Sequence, residues 1–92
     1  MKRIERKLFK LGDEIEALAR AEELVLEELN YHQHLNDDAQ RDAAVSNNPI
    51  DRADARETAG DVSRFERHLS HLRSKREKLE NKRIRLLGRF DD

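Results

Sequence analysis

Ninety-two residues allow one domain at most. With 42% of the residues charged and 36% hydrophobic, the composition excludes a large globular core and suits a solvated coiled coil. The chain has no cysteine, which excludes disulfides, thiolate zinc sites and cysteine nucleophiles, and no apolar run approaches the roughly 20 residues that span a membrane. The net charge of −1 hides an uneven distribution, described below.

The first predicted helix runs from about residue 2 to 45. Its seam is Ile4, Leu8, Leu11, Ile15, Leu18, Glu22, Val25, Leu29, His32, Asn36, Ala39 and Ala43. The steps alternate threes and fours, the period of a coiled-coil helix. The chain enters its first heptad at once, which leaves no stretch for a signal peptide, so the expected location is cytoplasmic. No proline interrupts this helix, and its one glycine, Gly12, costs about 1 kcal/mol.

The turn is predicted at 46–48. Asn48 suits an N-cap and Pro49 the first helical position, where its missing N–H is not needed. Asp51 then falls at the third helical position, where a carboxylate can reach back to the cap and favours the helix dipole.

The second helix is predicted over about 49–87, stopping near Gly88. Its seam is Asp51, Ala55, Thr58, Val62, Phe65, Leu69, Leu72, Arg76, Leu79, Arg83, Leu86 and Phe90. Folding the chain back at Asn47 pairs the two seams in layers from Ile4/Phe90 at one end to Ala43/Asp51 at the other. The expected fold is therefore all-α: residues 1–92 form a single antiparallel two-helix coiled-coil hairpin. Dimerisation into a four-helix bundle is an open alternative. His32, opposite Val62, reads as a polar seam residue that fixes register. Arg76 and Arg83 are expected to cover the seam with their stems and turn their guanidinium groups outward, and Glu22 lies one heptad layer from Arg76. Leu26 and Leu87 flank the seam and would widen it. Leu24 and Tyr31 share an outer heptad position and form the candidate outer contact face, with a homodimer as the implied assembly.

Charge sorts along the chain. Residues 36–61 hold seven acids against three arginines, whereas residues 1–11 and 73–92 together hold thirteen bases against five acids. The basic end, with Arg3, Arg6, Lys82 and Arg85 as candidate anchors, could contact phosphates or an acidic protein. It lacks a stacking platform or groove-reading element, so any nucleic-acid binding would be nonspecific and salt-sensitive. His68 and His71 are three residues apart, but no third convergent ligand accompanies them, so neither a metal nor any other cofactor is expected. A two-helix hairpin encloses no reaction pocket, and no catalytic residue is assigned: the chain reads as a non-enzymatic protein-interaction module.

The segment Asn48-Pro49-Ile50-Asp51-Arg52-Ala53 resembles the coiled-coil tip of DksA-type transcription factors, whose pattern is Asp-x-x-Asp-x-Ala. The hairpin architecture also resembles the N-terminal coiled coil of Gre-type transcript-cleavage factors. The resemblance implies a transcription regulator that inserts an acidic tip through the secondary channel of RNA polymerase, with Asp51 and Ala53 as tip residues; the acids clustered around the turn add Asp42 and Asp54 to the candidate partner-binding tip. Asn48 stands where the family pattern has its first aspartate, and the chain has no cysteines for the family's zinc module. The alternative reading is a self-associating structural or adaptor coiled coil with no polymerase role.

Overall fold

The computed structural model describes residues 2–91, with side chains through Arg89. Met1 and Asp92, and the side chains of Phe90 and Asp91, lie outside the described residues, and so therefore does the expected Ile4/Phe90 layer. Two helices, α1 (Arg3–Ser46) and α2 (Pro49–Asp91), form a hairpin, and no strand occurs among the described residues. None of the described helices is long and apolar enough to cross a membrane.

The hairpin divides into two compact units. The base unit comprises Met1–Glu23 with Ser70–Asp92, and the tip unit comprises Leu24–Leu69. In both units every described residue of the predicted seams is buried or half-buried. The base unit buries Leu11, Ile15, Leu72 and Leu86; the tip unit buries Val25, Leu29, Ala55, Val62 and Leu69. Removing a large aliphatic side chain from water stabilises by roughly 1.5–3 kcal/mol, so the alternation of threes and fours is where the fold gets its free energy.

In the base unit Glu22 is also buried in the seam, at 9% exposure. The Arg76 guanidinium grips it with two bonds, Nε to Oε2 and Nη2 to Oε1, the second 3.1 Å long. Arg73 Nε lies 3.6 Å from the same carboxylate, and Arg76 Nη1 also donates to Glu80 Oε1 at 2.8 Å. The expectation that Arg76 simply turns outward is thus corrected. A buried carboxylate one layer away needs charged donors, and a planar guanidinium supplies two in parallel. The Arg76 hydrogen bonds hold the Glu22 carboxyl below its ordinary value against the opposing effect of burial, and the charges of Arg76 and Arg73 add to this.

In the tip unit the layers turn polar. His32 stacks on Phe65, ring centroids 4.6 Å apart, and meets the Tyr31 ring edge-on at 5.4 Å. Phe65 is one layer away from the expected partner Val62, because a flat imidazole gains more from a ring than from a β-branched side chain. The Asn36/Thr58 layer forms as the register requires. The Thr58 hydroxyl donates to Asn36 Oδ1 at 2.9 Å, with the Ala55 carbonyl as a second acceptor at 3.1 Å. Gln40 Nε2 donates to Asn36 Oδ1 at 3.1 Å and to the Ala55 carbonyl at 3.0 Å.

Two further expectations change. α2 runs through Gly88 to Asp91, since no glycine takes a positive φ and Gly88 therefore does not act as a left-handed stop. Leu26 and Leu87 remain 40% and 43% exposed, so they do not widen the seam.

Candidate functional site

The turn is built by four consecutive polar or rigid residues, Ser46 to Pro49. Ser46 ends α1, and Asn47 takes the left-handed conformation at φ 53°, which asparagine tolerates better than most residues. Its N–H still donates to the Ala43 carbonyl at 3.3 Å. Asn48 caps α2: its Oδ1 accepts the Ile50 N–H at 2.9 Å, and its carbonyl accepts the Arg52 N–H at 3.0 Å. Pro49 occupies the first helical position. Arg52 ties the turn together from outside, donating to the Asn47 carbonyl at 3.3 Å and to the Asn47 side chain.

The four tip residues fall into two groups. Asp42, Ala53 and Asp54 are exposed. Asp51 is half-buried and accepts the Ser46 hydroxyl, which itself accepts the Asn48 N–H at 3.3 Å. Asp51 is thus part of the turn's own bracing. Of the other tip acids, Asp38 pairs with Arg41 at 3.3 Å and Asp61 pairs with Arg64. Asp42 and Asp54 take part in no ion pair among the described residues, which leaves their carboxylates fully available to a partner.

Two tip residues escaped the sequence reading. Val45 and Ile50 flank the turn at 83% and 69% exposure. The signal was available: both fall off the seam, at the same outer heptad position in their helices that Leu24 and Tyr31 occupy in α1. Large apolar side chains this exposed beside free carboxylates form a mixed surface of the kind that contacts other proteins.

The other predicted residues lie apart from the tip. Leu24 and Tyr31 are 62% and 61% exposed on α1 in the tip unit. Arg3, Arg6, Lys82 and Arg85 are exposed in the base unit, and Lys82 lines an open groove of about 210 Å³ with Lys7, Lys10, Leu11 and Glu14. A second open groove, of about 300 Å³, lies in the tip unit among Gln40, Ala43, Arg52, Ala55, Arg56 and Ala59. It exists because the layers there are alanines, whose side chains leave the seam under-filled. His68 and His71 are both exposed, and no group of three or more potential metal ligands occurs among the described residues.

No family model, curated protein or solved structure matches this chain.

Proposed function

We propose that the chain is a non-enzymatic protein-interaction module that presents its turn to a partner. The specific form is a transcription regulator whose acidic tip enters a channel of RNA polymerase. The observation that carries this reading is the composition of the tip surface. Asp42 and Asp54 are exposed and free of ion pairs among the described residues, and Val45 and Ile50 stand exposed beside them. Carboxylates on a braced turn can meet a basic patch, or a divalent cation held by another macromolecule, without the entropy cost of ordering a loop. The bracing bonds of Ser46, Asn48 and Asp51 supply that order. The DksA-like tip segment supplies the choice of polymerase as partner, and the basic end of the hairpin supplies an anchor of opposite charge.

The test is capture of purified core RNA polymerase on the immobilised chain. Asp42→Asn with Asp54→Asn is the informative variant, because it leaves Asp51 and the turn intact. The expected result is retention of polymerase by the wild type and at least tenfold weaker retention by the variant. Equal retention by both, or none by the wild type, contradicts the reading.

A further inference from the structure

Heptad letters, with a at Leu8 in α1 and at Ala55 in α2, show how the two helices share their flanks. Gln40, Arg52 and Ala59, which line the tip groove, are all e positions. Lys7, Glu14 and Lys82, which line the base groove, are all g positions. Each unit therefore has one side built from e and b positions and another built from g and c positions.

Charge is sorted by these sides. On the g/c side of the base unit the described residues comprise eight bases, among them Arg3, Lys10, Lys75 and Arg85, against the single acid Glu14. On the g/c side of the tip unit they comprise six acids, among them Glu28, Asp42, Asp54 and Glu57, against the single base Arg64. The e/b sides show nothing comparable. The base unit has two bases against five acids there, and the tip unit has two against two. A solvated surface selected only for solubility intersperses both signs and has no reason to segregate them by side.

The same g/c side of the tip unit carries Leu24, Tyr31 and Leu35, which are 62%, 61% and 38% exposed. The g/c side of the base unit carries the small residues Ala17 and Ala21 in the midst of its charges. A surface that is basic with small apolar gaps complements one that is acidic with large apolar projections. This chain contains both.

We propose that a second copy of this chain docks on the g/c side, the basic side of one copy's base unit against the acidic side of the other's tip unit, with Tyr31 and Leu35 entering over Ala17 and Ala21. A polyanion such as nucleic acid fits less well. It would cover the basic side only and leave Leu24, Tyr31 and the six acids without a partner. Helices that present a second apolar stripe beside the a/d seam, with complementary flanking charge, bury it by pairing hairpin on hairpin. Asp42 and Asp54 are g positions, so the paired form covers them. Self-association would then compete with tip docking. That consequence rests on the tip-docking reading, whereas the pairing itself does not.

The test uses two charge-swapped variants of the full chain. One carries Lys75→Glu, Lys78→Glu and Lys82→Glu; the other carries Asp42→Lys, Asp54→Lys and Glu57→Lys. Mass is read by light scattering or sedimentation, and helicity by circular dichroism. The wild type at about 0.01 M salt, where charges act over about 30 Å, should have twice the 10.9 kDa chain mass. Each variant alone should fall to the chain mass, and an equimolar mixture should return to twice that mass, because the swapped base then meets the swapped tip. If a swap variant loses helicity, Leu24→Ser with Tyr31→Ser takes its place and should halve the mass with helicity intact. A wild type that stays monomeric at low salt, a mixture of swap variants that stays monomeric, or a dimer indifferent to all these changes overturns the proposal. Heparin binding by a chain that remains monomeric would give the basic side to a polyanion and overturn it equally.

Discussion

The base and tip units are made from the same heptad pattern, yet they are held together differently. The base unit fills its seam with Leu11, Ile15, Leu72 and Leu86 and inserts one part-buried ion-pair cluster around the buried Glu22. The tip unit begins with Val25, Leu29 and Leu69 but moves to His32, Asn36, Thr58 and Ala55 as it nears the turn. Apolar burial scales with area, so alanine and amide layers stabilise far less than leucine layers, while their hydrogen bonds contribute direction and register. The pattern fixes the fold, and the residues that fill it set how tightly each part holds. The weaker half also carries Val45 and Ile50, the two most exposed large apolar side chains among the described residues, together with the exposed Asp42 and Asp54, as expected where a surface is kept for contact rather than for stability.

Substitutions sharpen this contrast. Leu72→Ala in the base seam should have the largest effect, about 2–5 kcal/mol in urea unfolding, because a cavity is left among large neighbours. Loss of under 1 kcal/mol would mean that the base seam is not the main source of stability. Glu22 comes next and adds a pH signature. Its carboxyl titrates lower in the folded chain than its ordinary value of 4.5, chiefly through the Arg76 hydrogen bonds. Its contribution is therefore present above that value and fades as pH falls through the lower folded value. Glu22→Gln should lower the melting temperature at neutral pH and flatten its decline below pH 4.5, the ordinary value; an unchanged acid limb would remove Glu22 from the account. At the turn, Asn48→Ala should cost roughly 0.5–2 kcal/mol through the lost cap. Smallest of all, Thr58→Val should cost about 0.5–1.5 kcal/mol as the Asn36 layer loses one bond. A Thr58→Val cost matching that of Leu72→Ala would erase the distinction between the two units.

Much of this was legible in the sequence, and the reason is periodicity. Which side of a helix faces its neighbour depends only on spacing, so every described seam residue from Ile4 to Leu86 is buried or half-buried as its heptad position requires. The turn was legible because Asn48 and Pro49 have strong local preferences. Spacing places Glu22 one layer from Arg76 but does not specify rotamers, so the two-bond geometry of that pair and the His32 stack on Phe65 emerge only in three dimensions. Gly88 misled because glycine permits a left-handed stop without enforcing one. In sequence the tip is a cluster of acids; in three dimensions Asp51 is committed to Ser46, and the neighbouring Val45 and Ile50 stand exposed. Counting charge along the chain also concealed its sorting by side, which becomes visible once the e and g flanks are fixed by the grooves they line.

Native-state hydrogen exchange read residue by residue tests the central claim most directly, because it reports the opening free energy of each helical turn in one experiment. The account predicts that amides around Leu11–Ile15 and Leu72–Leu79 exchange slowest, through global unfolding, while those around Asn36–Ala43 and Ala55–Thr58 exchange faster by local opening. Uniform protection along both helices, or a tip better protected than the base, would contradict it.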